Sequence, residues 1–133
     1  MAVITTAKEI ITVGTTSFIE GLSVNETFCA VFEDDGDTGY FYALDLSAGG
    51  NRIQNAVNIY NVKDVKDKEI PSEIKICWSQ DGLKTLLMIN NYPHAVFDFS
   101  SKTGYCRTGF PSPNIKSGWT GHNWSDSAID LFT

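Results

Sequence analysis

The sequence predicts an α+β domain, mainly an antiparallel β-sheet of about six to eight strands in hairpins and a meander, with one main helix packed on it. Three observations lead to this prediction. Apolar and polar side chains alternate in several short runs, which is typical of half-buried strands. Glycine, asparagine and aspartate separate these runs, as they do in hairpin turns. One segment, residues 51–62, instead repeats its apolar side chains at helical spacing.

The clearest hairpin spans residues 28–46. In its second strand, alternate residues fall on one face: Tyr40, Tyr42, Leu44 and Leu46. The residues between its two strands are small, acidic or glycine, and such residues tolerate the backbone dihedrals of a reversal. We therefore expect a tight connection at residues 34–39.

Further strands are predicted at residues 9–13, 17–20, 73–78, 83–90, 95–99 and 105–107. Turn-forming residues separate each of the last four from the next. A meander is the simplest arrangement of these four strands.

Residues 51–62 predict the one substantial helix. Its apolar residues follow the i, i+3, i+4, i+7 pattern: Ile53, Ala56, Val57 and Tyr60. Asn51 is a candidate N-cap that follows two glycines. We expect this helix to pack across the sheet.

The chain of 133 residues has the length of a single domain, which we assign to residues 1–133. After Pro111 and Pro113 the composition changes to glycine, serine, asparagine and tryptophan. Residues 111–133 therefore predict an irregular, aromatic C-terminal tail packed on the same domain.

The net charge is −6, from 10 Lys plus Arg against 16 Asp plus Glu. This charge repels phosphate backbones and anionic lipid and would attract a basic protein, so we expect neither nucleic acid nor membrane as a partner. Cys29, Cys77 and Cys106 form no paired metal motif and suit reduced, buried thiols. With no signal-like start and no apolar run long enough to span a bilayer, a cytoplasmic location is expected.

The acidic loop, residues 33–37, concentrates four carboxylates, the ligands that Ca²⁺ and Mg²⁺ prefer. Asp35, Asp37 and Gly39 match only the first ligands of a calcium loop, and Leu46 occupies the position of the bidentate glutamate. A hairpin turn explains the loop better than a metal site. We expect no bound metal and no cofactor.

Two histidines are the candidates for acid–base chemistry. A reactive cysteine would need His94 or His122 beside it, but the sequence holds no nucleophile turn, so inert thiols are favoured. His122 lies between Trp119 and Trp124 in a glycine-bearing segment. Such aromatic residues suit a partner surface, although packing of the two tryptophans against the core is the favoured interpretation.

Three segments of the chain resemble a known family. Residues 32–45, 59–62 and 92–99 together are similar to an uncharacterised bacterial family known as a domain of unknown function, DUF2251. The resemblance spans most of the chain and implies a bacterial, cytosolic origin. It implies no activity, substrate or catalytic residue.

These observations favour a non-enzymatic protein-binding module, of which a toxin-immunity or inhibitor protein is one form. Its expected partner-binding residues are Glu33, Asp34, Asp35, Asp37, His94, Trp119, His122 and Trp124. The first alternative is a small hydrolase or transferase that combines His94 or His122 with the acidic loop. The second is a self-associating structural subunit, a homo-oligomer joined through its sheet edges.

Overall fold

The computed structural model describes residues 3–49, 52–107, 119–124, 127–130 and 132. Within them the chain forms ten β-strands and two short helical segments. The strands are β1 (Val3–Ile11), β2 (Ser17–Leu22), β3 (Phe28–Asp34), β4 (Thr38–Asp45), β5 (Ile53–Asn61), β6 (Ser72–Ser79), β7 (Lys84–Ile89), β8 (Tyr92–Asp98), β9 (Thr103–Cys106) and β10 (Thr120–Asn123). The helical segments are a 3-10 helix (Val62–Asp64) and α1 (Ser127–Asp130). Neither of them is long and apolar enough to cross a membrane.

The strands form two sheets. The larger has six strands in the order β1-β6-β7-β8-β9-β10, and the smaller has four in the order β2-β3-β4-β5. Neighbouring strands are antiparallel except β9 and β10, which run parallel. Because β1 and β2 lie in different sheets, the connection between them carries the chain from one layer to the other.

The two sheets pack face to face as a β-sandwich. Phe41 of the smaller sheet stacks on Phe97 of the larger one, with ring centroids 4.9 Å apart. The indole N–H of buried Trp78 donates to the backbone carbonyl of Gly21 across the interface, at 3.0 Å. A Cβ on Gly21 would lie 2.6 Å from a methyl carbon of Ile76, so the close approach of the sheets requires glycine there. One apolar core fills the space between the sheets.

The outer face of the six-stranded sheet carries a second apolar cluster. Cys77, Leu86 and Val96 on neighbouring strands pack with Ala128 and Phe132 of the C-terminal segment. We call this surface, defined by those five residues, the covered face. The chain's own end therefore removes this sheet surface from water, which stabilises the fold in proportion to the apolar area buried.

The α+β prediction is wrong, because the described chain is nearly all β. The main helix predicted at residues 51–62 does not form, and Ile53–Asn61 is β5 at the edge of the smaller sheet. The single layer of about six to eight strands is replaced by ten strands in two layers. The second sheet covers the core that the helix was expected to cover.

The helical spacing in β5 arises from two irregularities of a strand. Its pairing with β4 shifts between Ala43 and Leu44 and again between Gly39 and Tyr40, so β5 carries one extra residue at each point. Each extra residue changes the alternation of the side chains. Apolar residues then recur at mixed intervals that resemble a helix. The proposed cap, Asn51, lies outside the described residues.

The predicted hairpins are confirmed. β3 pairs with β4, and β6 to β9 form the expected meander. The turn between β7 and β8 is formed by Asn90 and Asn91, which have positive φ angles of 53° and 63°. Asparagine tolerates this conformation, and two such residues make the tight turn whose twist matches a hairpin.

Candidate functional site

The acidic loop uses its carboxylates to hold its own turn. Asp34 is fully buried, and one of its oxygens accepts from the backbone N–H of Gly36 at 2.8 Å. The other accepts from the backbone N–H of Gly14 at 2.8 Å and from the hydroxyl of Tyr60 at 2.6 Å. Burial, followed by this bond and the charge of Asp34, raises the pKa of the Tyr60 hydroxyl, so Tyr60 remains protonated.

The remaining members of the loop are more exposed. The backbone N–H groups of Thr38 and Asp37 donate to Asp35 at 2.8 and 2.9 Å, and these bonds lower the pKa of Asp35. Asp37 lies beside an open cleft with Lys63 and Lys68. Within the part of the chain that the structure describes, no group of three or more His, Cys, Asp or Glu side chains is placed to hold a metal ion.

Glu33 points away from the core, on the outer face of the four-stranded sheet. Strand pairing aligns three rows of side chains on this face: Phe18, Glu33, Tyr40 and Asn58; Glu20, Val31, Tyr42 and Ala56; Leu22, Cys29, Leu44 and Ile53. We call these twelve residues the open face. Phe18 is 59% exposed and Leu22 is 42% exposed. Large apolar side chains therefore meet solvent on this sheet.

The open face is also ordered and acidic. The Tyr42 hydroxyl donates to Glu33 at 3.2 Å, and the rings of Tyr40 and Tyr42 stack with centroids 5.9 Å apart. Burial and the negative charge of Glu33 raise the pKa of Tyr42 to about 12. The four strands of this sheet contain no lysine or arginine. The face consequently presents negative charge among aromatic and aliphatic groups.

Both candidate tryptophans of the C-terminal tail contact the body of the protein. Trp119 packs edge-on against Phe97 and Phe99, with ring centroids 6.0 and 5.1 Å apart. Trp124 lies 4.3 Å from the guanidinium carbon of Arg107, measured to its ring centroid. His122 pairs with Tyr105 through the backbone of β10, and its side chain lies outside what the structure describes.

His94 borders a cavity of about 290 Å³ that opens between the two sheets. Six apolar residues line it: Ile11, Val13, Ile59, Val65, Ile74 and Ile89. Three polar residues complete the lining: Tyr60, Ser72 and His94. Burial, and then the charge of Arg107, lower the pKa of His94, which keeps the imidazole neutral at neutral pH.

Arg107 forms a stacked arrangement beside His94. Its guanidinium carbon lies 4.4 Å from the ring centroid of Tyr92 and 4.3 Å from that of Trp124, so the cation sits between two aromatic faces. Its Nε–H donates to the Pro93 carbonyl at 2.6 Å, and its backbone N–H donates to the His94 carbonyl at 3.1 Å. The charge is thereby fixed close to the His94 side of the cavity.

Sequence reasoning missed most of this cavity. Tyr60 and Ser72 were not among the candidates, because Tyr60 was assigned to a helix and Ser72 to no motif. Among the predicted site residues whose side chains the structure describes, only His94 lines the cavity, and the acidic loop reaches it indirectly through the bond between Asp34 and Tyr60. The signal that identified His94 was its residue type.

Comparison with known proteins gives a family and no activity. A protein of Haemophilus influenzae, named only as an uncharacterized protein, is 44% identical over 98 residues. This alignment covers 74% of the present chain and 61% of the relative, so the chain spans less than two-thirds of that relative's length. No solved structure matches the chain. A family described as "Uncharacterized protein conserved in bacteria" matches residues 11–133. The chain therefore belongs to the bacterial DUF2251 family.

Proposed function

We propose that this protein is a non-enzymatic binding module of the bacterial cytosol, and that it binds a basic protein through the open face. The observation that carries the proposal is the composition of that face. It combines solvent-exposed apolar side chains with carboxylates, on a sheet without any lysine or arginine. An immunity or inhibitor protein that neutralises a basic toxin is one function of this kind.

The apolar part of the open face supplies contact area. Phe18 and Leu22 lie on β2 and the half-buried tyrosines Tyr40 and Tyr42 lie on β4, on the same face of the sheet with β3 between them. Contiguous apolar and aromatic surface rimmed by polar groups is typical of protein interfaces. Aromatic side chains contribute strongly to binding because they bury a large area and lose few rotatable bonds.

The acidic part of the face selects the charge of the partner. Glu20 and Glu33 flank the aromatic residues, and the whole chain carries a net charge of −6. Complementary potentials accelerate encounter and disfavour partners of the same sign. A second copy of this chain would bring the same carboxylates together, so a different, basic protein is the better occupant.

The cytosol suits the cysteines of the chain. Cys29, Cys77 and Cys106 are buried thiols. Burial and the nearby charge of Glu20 raise the pKa of Cys29 to about 11, which disfavours the reactive thiolate. Thiols remain reduced in the cytosol, where disulfides are rare.

The hydrolase or transferase alternative draws less support from the geometry. His94 shares the cavity with Tyr60, but Asp34 behind Tyr60 is fully engaged in three hydrogen bonds within the fold. Asp35 is engaged in the turn of the acidic loop. We therefore propose binding at the open face rather than catalysis at His94.

The proposal is tested by capture from a lysate of the native bacterium with three forms of the tagged protein. These are the wild type, the open-face variant F18S/L22S and the control I70S. Ile70 is 60% exposed but lies away from the open face, so I70S removes a similar exposed apolar side chain.

We expect the wild type and I70S to retain one basic protein in stoichiometric amount. Raising the salt concentration to about 0.5 M should weaken this binding, because salt then screens exposed charges beyond a few ångströms. F18S/L22S should lose it. The proposal is wrong if no stoichiometric protein is retained, or if F18S/L22S retains the same protein as well as the wild type does. Circular dichroism of each variant checks that the fold persists.

A further inference from the structure

We propose that the cavity between the two sheets is a binding site for a small, mostly apolar molecule with a carboxylate head, held with the head towards His94 and Ser72. This inference is independent of the open face, because the two sites share no residue. It concerns a class of ligand, that is, short fatty acids and aromatic carboxylic acids of similar size.

The volume of the cavity sets the size of the ligand. The cavity measures about 290 Å³, whereas an engineered apolar cavity of about 150 Å³ accommodates benzene. A ring with a short side chain, or an acyl chain of about eight carbons, is therefore of suitable size.

The walls of the cavity suit an apolar body. Ile11, Ile59 and Ile74 form a buried base between the sheets. Val65 and Ile89 are half-buried and stand nearer to solvent. A ligand can therefore enter from the rim and place its apolar part on the isoleucine base. Pockets for small molecules commonly combine such apolar walls with a few polar groups.

The polar groups orient the head of the ligand. Tyr60 donates its hydroxyl proton to Asp34 at 2.6 Å, so this hydroxyl offers a ligand only an acceptor, backed by a negative charge. A carboxylate is repelled at that wall. His94 and Ser72 lie on the same cavity and can donate a ring N–H and a hydroxyl proton.

The positive charge of Arg107, next to His94, strengthens this orientation. The Arg107 guanidinium carries a positive charge, and its backbone hydrogen bond to His94 and its two aromatic neighbours hold the residue beside the histidine. Glu73, next to Ser72 in the chain, is paired with Lys8 and Lys75 at 3.9 and 3.4 Å, which offsets its charge. The electrostatic field at the His94 side therefore favours an anionic head over a cationic one.

Three probes with the same apolar chain test the inference: octanoate, octanol and octylamine. Each is titrated into the wild-type protein while two-dimensional amide NMR spectra are recorded. We expect octanoate to shift resonances of residues around the cavity, and to bind about tenfold more tightly than octanol, the equivalent of one well-placed charged contact. Octylamine should bind most weakly.

Variants separate the head from the body of the site. H94Q should weaken octanoate and leave octanol nearly unchanged, because it alters the head contact only. Arg52 is exposed and flanks β5, so R52Q is the control that removes a charge elsewhere. The inference is overturned if octanoate causes no shifts around the cavity, if octanol or octylamine binds as tightly as octanoate, or if R52Q weakens octanoate as much as H94Q does. The titrations of the wild-type protein need no variant, so they test the inference even if a variant folds poorly.

Discussion

The covered face and the open face lie on opposite sides of the same sandwich, yet of the two only the open face leaves large apolar side chains exposed to solvent. On the covered face, Leu86 and Val96 are fully buried, and Phe132 is 3% exposed where it packs with them. On the open face, Phe18 is 59% exposed. Both faces carry aliphatic and aromatic side chains, so composition alone does not explain the difference.

Charge and connectivity explain it. The covered face receives the C-terminal segment, whose aromatic and aliphatic residues fit an apolar sheet surface. The open face instead carries Glu20 and Glu33 among its apolar residues. Covering these carboxylates with the chain's own apolar tail would remove charge from water without a partner, which costs free energy. A basic partner could neutralise them on binding, and for this reason the comparison points to the open face as the site of recognition.

The largest expected effect compares one phenylalanine from each face. F132A should lower the free energy of unfolding by about 3 kcal/mol, because it removes a buried ring and leaves a cavity. F18A should change it by no more than about 0.5 kcal/mol, because the ring is mostly in water. Urea unfolding followed by tryptophan fluorescence measures both. Equal losses in the two variants would show that the two faces do not differ in this way.

Features of these faces that neighbouring residues determine could be predicted from the sequence. Features that depend on residues far apart in the chain could not. The hairpin of β3 and β4 was predicted because alternation and turn residues lie within one segment. The placement of Tyr40 and Tyr42 on one face also followed from the alternation. That this face points outward did not follow, because only the second sheet behind Phe41 and Ala43 shows which side is the core.

The helix predicted at residues 51–62 failed for a related reason. Val57 and Ile59 face the core at strand spacing, and the register shift at Ile59 adds the half-buried Tyr60 to the core side, while Ala56 is buried on the open face. A single sequence read by its period cannot distinguish this mixture from a helical stripe. The pairing partner β4 decides between them, and that information is not local.

The cavity was beyond sequence reasoning because its walls come from five strands and two connections far apart in the chain. His94 could be singled out by residue type alone. The bond between Tyr60 and Asp34 joins residues 26 positions apart and depends on how β5 pairs with β4. Of the candidate site, the sequence therefore predicted His94 alone and missed the other lining residues and the geometry.

The next prediction compares two tyrosines of the four-stranded sheet. Y60F should lower the free energy of unfolding by about 2 kcal/mol, because it removes a short hydrogen bond to a buried carboxylate. Y42F on the open face should cost less than about 0.5 kcal/mol, because water can replace Tyr42 at Glu33. Urea unfolding at pH 7.5 measures both losses. A larger loss for Y42F would mean that the open face is a structural part of the fold.

A smaller effect is expected at Arg107, whose guanidinium group contacts Trp124 of the C-terminal tail. R107K keeps the charge but loses the planar stack between Tyr92 and Trp124, and should cost about 1 kcal/mol. R52K, the same change at an exposed arginine, is the matched control and should cost nothing measurable. Thermal unfolding checks the pair, and an unchanged midpoint for R107K would show that the stack contributes nothing to stability.

The smallest expected effect concerns neither outer face but His94 in the opening between the sheets. Its pKa is lowered in the folded protein, by burial and then by the charge of Arg107, from the ordinary value of 6.5. The unfolded chain therefore binds a proton at higher pH than the folded protein does, so His94 stabilises the fold above pH 6.5, and that contribution is lost as the pH falls below it. The variant H94Q has no side chain at this position that binds a proton in this pH range, and it keeps every carboxylate. We expect the wild type to lose more unfolding free energy than H94Q between pH 7.5 and pH 5, as measured by urea titration at both values. Identical losses would mean that His94 is as open to water as a residue of the open face, and the cavity would then lack the buried wall that a ligand requires.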